Sequence, residues 1–144
     1  MADNRRRKSQ TSMINAQASP KDKNSKQKFD LEERTVAFSE QIIEFVKKLP
    51  QDTITKPLIS QLVRSATSIG ANYSEAEEAN SKKDFVNKVA IAKKETRETK
   101  YWLRILSSTI PETKEQARVL WKEAQELNLI LAAIIRSASK NNSK

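Results

Sequence analysis

Four runs of this chain repeat apolar or small residues at alternating four- and three-residue steps, and each run predicts an amphipathic helix. The first is Leu31, Thr35, Phe38, Ile42, Phe45 and Leu49. Asp30 stands in front of it as a helix cap, with Glu33 three residues on in a capping-box-like pair. Lys47 and Lys48 suit the negative end of the helix, and Pro50 stops it. The second run begins near Pro57, a residue at home in a first helical turn, and continues through Leu58, Leu62, Ser65, Ile69 and Ala76. Gly70 lies inside it at a cost of about 1 kcal/mol relative to alanine. With Ser65, Ala66, Ser68 and Ala71 nearby, this glycine predicts close approach of another helix; a hinge is the alternative.

The third run opens on Ser81-Lys82-Lys83-Asp84, a capping box with aspartate in the glutamate position. Its seam is Phe85, Val89, Ala92, Thr96, Thr99, Leu103 and Leu106. The threonine hydroxyls can bond to carbonyls one turn back. The fourth run follows Pro111, with Thr113 and Gln116 as the capping pair and a seam of Ala117, Leu120, Ala124, Leu127, Leu131, Ile134 and Ala138. Four seams joined by short links predict an all-α fold, an antiparallel up-down four-helix bundle. Tyr101, Trp102, Trp121, Ile130 and Ile135 fall outside the strict seams, and large apolars so placed on adjacent helices point to self-association.

Composition narrows the picture further. The 144 residues fit one domain, and they include one glycine and four prolines. Sheets need many tight turns, and tight turns use glycine, so the count favours long helices. Histidine and cysteine are both absent. That removes disulfides, thiolate or imidazole metal sites, and Ser-His or Cys-His nucleophilic catalysis. No apolar leader opens the chain, and its longest apolar stretch, Leu127 to Ile135, is about half the ~20 residues that span a bilayer. The expectation is a cytoplasmic, non-enzymatic protein without cofactor.

The net charge of +9 is unevenly spread. Residues 1–28 hold eight basic residues against two acidic, a charge of +6, and are rich in Ser, Asn and Gln. They are too poor in large apolars to offset ordering entropy, so they read as a disordered basic tail before a bundle over 29–144. Arg5, Arg6, Arg7 and Lys8 make that tail either a solvated leader or a phosphate contact. The third helix carries eight basic residues against three acidic. Among them Lys93, Arg97, Lys100 and Arg104, spaced four, three and four, share one face, and Lys82 falls on the same line. Such a stripe is either a solvated face paired with glutamates of the first and fourth helices, or a surface that tracks phosphates.

The carboxylates offer little for chemistry. Glu95 and Glu98 have an i,i+3 spacing, yet no histidine accompanies them, which argues against a metal site. Arg64, Asn72, Tyr73, Glu75 and Glu95 are read instead as a structural polar network, with Lys94 or Arg97 as further partners of the two glutamates.

Three stretches resemble a known family. They are Phe29-Asp-Leu-Glu-Glu-Arg34 through Phe38, Arg64-Ser-Ala-Thr-Ser-Ile-Gly-Ala-Asn-Tyr-Ser-Glu-Ala76, and Ile91-Ala-Lys-Lys-Glu-Thr-Arg-Glu-Thr-Lys-Tyr-Trp-Leu103. Together they resemble the bacterial 23S rRNA intervening-sequence proteins over about residues 29–139, leaving the basic tail outside the likeness. The resemblance implies an antiparallel bundle assembling as a homopentameric ring, related to the accessory proteins of diversity-generating retroelements. Those accessory proteins engage nucleic acid, so RNA or other nucleic acid is the expected partner. The charge pattern, and not the likeness, offers Lys82, Lys93, Arg97, Lys100, Arg104 and Arg5, Arg6, Arg7 and Lys8 as the residues to engage it. The alternative is a protein-interaction scaffold that recruits a nucleic-acid-processing partner such as a reverse transcriptase.

Overall fold

The computed structural model describes residues 30–140, so the predicted tail with Arg5, Arg6, Arg7 and Lys8 lies outside the described residues. Four helices account for almost all of that span: α1 Leu31–Lys47, α2 Thr55–Glu77, α3 Lys82–Thr109 and α4 Lys114–Lys140. A single 3₁₀ turn, Pro111–Thr113, leads into α4. No strand occurs among the described residues.

The cross-helix contacts fix the directions. Along α2 and α3, Arg64 meets Glu98, Ser65 meets Thr99, and Glu75 meets Lys88, so one numbering rises as the other falls. Thr96 with Asn128 and Lys100 with Gln125 give the same antiparallel sense for α3 and α4. Ser74 donates to Glu32, and the backbone of Gly70 lies against Thr35, which sets α1 antiparallel to α2. Arg34 reaches Glu123 and closes the circuit between α1 and α4. The fold is the predicted up-down four-helix bundle.

Its core is the set of seams. Phe38, Ile42, Leu62, Ile69, Val89, Leu103, Leu106, Leu127 and Leu131 are fully buried. Thr35, Ser65, Thr96 and Thr99 are buried with them, each with its hydroxyl spent on a nearby carbonyl or hydroxyl. Gly70 occupies the tightest point. A β-carbon there would stand 2.7 Å from Thr35 Oγ1 and 3.0 Å from Thr35 Cβ, so the glycine is required by the approach of α1.

The structure departs from the sequence reading at the edges. Helix α2 starts at Thr55, two residues before Pro57, because Asp52 accepts from the Ile54 and Thr55 amides and Thr55 Oγ1 accepts from the Asp52 amide. This reciprocal cap also holds the Asp52 carboxyl below its usual range, chiefly through the Thr55 amide. Ile59, not Leu58, is the buried apolar residue of the first turns of α2. Thr113 turns its hydroxyl back to the Ile110 carbonyl, so the entry into α4 is made by the 3₁₀ turn. The Ser81 cap is as read: its hydroxyl accepts from the Asp84 amide at 3.0 Å. Ile134 and Ala138 are only half-buried near the end of α4.

Candidate nucleic-acid interface

The basic stripe of α3 lies beside α4, and the two helices leave a pair of clefts along their junction. One, of about 510 Å³, is lined by Lys93, Lys94, Arg97 and Lys100 from α3 with Gln125 and Asn128 from α4. The other, of about 480 Å³, lies nearer the α3–α4 turn. Its apolar wall is Leu103, Ala117 and Trp121, and Arg104, Lys114, Arg118 and Lys122 supply its cations. Lys100 joins the two. Its Nζ donates to Gln125 Oε1 in one cleft and sits 5.2 Å from the centre of the Trp121 ring in the other.

Helix geometry accounts for the row. Residues spaced four, three and four on α3 fall beside the seam positions Thr96 and Leu103, on the flank that meets α4. From Lys93 to Arg104 the row runs about 16 Å at 1.5 Å per residue. Packing positions it from below. Asn128 donates to Thr96 Oγ1 at 2.8 Å, and that hydroxyl donates to the Lys93 carbonyl, tying α3 to α4 directly under the cations.

The charges on this face meet few partners within the fold: Lys100 donates to Gln125, and Lys94 lies near enough to Glu98 to help Arg64 hold its carboxyl down. Neither cleft has a carboxylate among its lining residues, and none of the eight cations forms an ion pair among the described residues. Two acids of α1 and α4 are engaged elsewhere. Glu123 binds Arg34 at 2.7 Å, and Arg34 is held above its usual pKa by that bond and by Glu123 and Glu126 nearby. Glu44 pairs with Lys47 on its own helix.

Of the residues singled out in the sequence, Lys93, Arg97, Lys100 and Arg104 come together along the clefts, while Lys82 stands apart at the start of α3. Lys94, Lys114, Arg118 and Lys122 were missed. The α3 pattern places Lys94 off the line, and the other three become neighbours of the stripe only once α4 is packed. The spacing of Lys114, Arg118 and Lys122, four and four, was the available signal.

The polar residues read as one network separate into distinct contacts between α2 and α3. Arg64 bonds Glu98 Oε1 and lies 3.6 Å from Glu95 Oε1, and Trp102 Nε1 also points at Glu98 Oε1. Glu98 is the main partner and was not singled out; the Arg64 guanidinium, before the Trp102 bond, holds its carboxyl below the usual range. Arg64 is raised in return, chiefly by its bond to Glu98. Glu75 pairs with Lys88, not with Arg97 or Lys94, about 16 Å along α2 from Arg64. Asn72 donates to the Ser68 carbonyl, and Tyr73 is half-buried beside it. Among the described residues no group of three or more acidic side chains is arranged to hold a metal ion, and no helix is long and apolar enough to cross a membrane.

The family model of the 23S rRNA-intervening sequence proteins matches residues 27–133. The chain belongs to that family. A crystal structure of a protein of unknown function from the S23 ribosomal protein family of Bacteroides thetaiotaomicron is similar at 37% sequence identity, with a TM-score of 0.65. The match covers 72% of this chain and 96% of that one. No curated protein matches the chain.

Proposed function

We propose that this family member is a non-enzymatic, homo-oligomeric protein that binds structured RNA along the α3–α4 face. The observation that carries the reading is the continuous set of eight cations in two adjoining clefts, without a carboxylate among the lining residues. Elsewhere on the bundle Arg34, Lys47, Arg64 and Lys88 pair with carboxylates, as this row does not. An unpaired row attracts phosphate and releases counterions when it binds. Assembly as a pentamer, which the family likeness implies, repeats the row and multiplies its field. Phosphate contact of this kind positions RNA and reads little sequence.

The test is fluorescence anisotropy with a structured rRNA fragment at two salt concentrations, comparing the full-length chain with Arg97→Glu/Lys100→Glu. Binding should weaken steeply with salt, and the double variant should bind weakly with unchanged helicity by circular dichroism. Each lost phosphate contact should flatten the log–log salt slope by roughly 0.7–0.9. Equal affinity of the two proteins would remove the stripe from the mechanism.

A further inference from the structure

The two clefts differ in one respect that a phosphate-binding row does not need. The cleft nearer the α3–α4 turn has an apolar wall made by Leu103, Ala117 and the Trp121 indole, with cations around it. Trp121 is only half-buried although it belongs to a core-forming helix, and its ring has the Lys100 ammonium 5.2 Å from its centre. Duplex RNA presents phosphates and hydroxyls outward and keeps its bases stacked inside, so it has no use for an apolar wall. A ligand that fills this cleft is planar and apolar in one part and anionic in another. At about 480 Å³ the cleft is within the size range of small-molecule sites.

We infer that this cleft takes one unstacked nucleobase against Trp121, so that the ligand of the face is single-stranded or bulged nucleic acid instead of uninterrupted duplex. The inference rests on the RNA-binding reading above and specifies its substrate. Arg104, Arg118 and Lys122 hold the phosphates flanking that base, and the Lys93–Lys100 row carries the strand onward along α3. Aromatic stacking next to a cationic track is the general means by which proteins hold single strands, and it tolerates any base because every base has a π-face. Lys100 links both parts, since an ammonium placed over an indole remains free to meet a phosphate at its edge.

The experiment uses the full-length protein with three probes: a twelve-nucleotide oligouridylate, a blunt RNA duplex of equal length, and uridine monophosphate. Wild type, Trp121→Ala, Trp121→Phe and Arg97→Glu/Lys100→Glu are compared by anisotropy or fluorescence quenching, with oligomeric mass followed by light scattering. The expected result is that Trp121→Ala weakens oligouridylate binding roughly 10- to 100-fold. Duplex binding should change by less than about twofold, and Trp121→Phe should keep most of the single-strand affinity because it retains a π-face. Equal losses on both probes, or no loss in Trp121→Ala while the charge variant loses binding, would overturn the inference and leave the RNA-binding reading intact. A changed oligomeric mass in Trp121→Ala would overturn it too, by assigning the indole to a subunit contact. Uridine monophosphate binding as tightly as the oligomer would replace the strand by a free nucleotide. Failure of wild type to bind either RNA would remove the RNA-binding reading itself.

Discussion

At the scale of single residues, Gly70 shows how a local penalty reports a tertiary contact. A glycine inside a helix costs about 1 kcal/mol relative to alanine, so its place in the middle of α2 needs a compensating reason. That reason is Thr35, whose Oγ1 and Cβ lie 2.7 Å and 3.0 Å from where a new β-carbon would stand. Thr35 is fully buried and its hydroxyl donates to the Glu32 carbonyl, so it has no room to swing away. Gly70→Ala should therefore destabilise the bundle by about 1–2 kcal/mol, the overpacking cost exceeding the gain in helix propensity. In a Thr35→Ala background, which removes the nearer of the two clashing atoms, the same change should cost less by about 1 kcal/mol. Urea unfolding of the four proteins closes the cycle. A Gly70→Ala variant more stable than wild type would mean that α1 and α2 do not meet as closely as described, and the hinge alternative would return.

At the scale of helices, the sequence pattern was readable where one helix carries its own information. The α3 seam is buried as its spacing predicts from Val89 through Ala92, Thr96, Thr99 and Leu103 to Leu106, with Phe85 at its start only half-buried, and so is most of the seam of α4. What periodicity could not supply was anything made jointly by two helices. Glu98 was weighed only as a metal-ligand candidate and left out of the polar network, because its importance comes from Arg64, 34 residues earlier. The Asp52–Thr55 cap was missed because Pro57 offered a more obvious start, and Arg118 and Lys122 become part of the basic face only through α3. The Arg64–Glu98 pair makes a prediction at this scale, because it binds α2 to α3. The Arg64 bond holds the Glu98 carboxyl below its ordinary range in the folded state. Its stabilisation is thus present above the unfolded pKa of about 4.3 and is lost as pH falls through the lower folded value. Wild type should be more stable than Glu98→Gln at about pH 6.5, and the gap should narrow by about pH 3.5. Chemical denaturation of both proteins at the two pH values measures it, and a pH-independent gap would show that the bond to Arg64 does not depend on the charge of Glu98.

At the scale of the bundle as a whole, several large apolar side chains stand on the surface. Val119 is 67% exposed, Tyr101 55% and Leu129 51%. The sequence flagged Tyr101 by its place outside the seam, whereas Val119 and Leu129 could be recognised only once the seam of α4 was seen to face inward. Val119 lines a groove of about 580 Å³ between α1 and α4, together with Phe45, Leu120 and the acidic Glu40 and Glu44. Helix α4 thus has a cation-lined groove on its α3 side and a partly apolar groove with Glu40, Glu44 and Lys48 on its α1 side. A partly apolar groove away from the basic clefts suits a subunit contact that leaves those clefts open, and head-to-tail contacts close into a ring when the rotation allows. Light scattering at micromolar concentration should return an oligomeric mass for wild type, that of a pentamer under the proposal above. Val119→Asp adds a charge to an apolar contact and to a groove already holding two glutamates, so it should shift the mass toward the protomer while leaving helicity unchanged. RNA affinity should fall with it, although Val119 lines neither basic cleft, because a ring engages several cationic rows at once and a lone bundle only one. A monomeric wild type would end the ring reading. A Val119→Asp protein that keeps both its mass and its affinity would move the subunit contact to another face, with Tyr101 the next side chain to test.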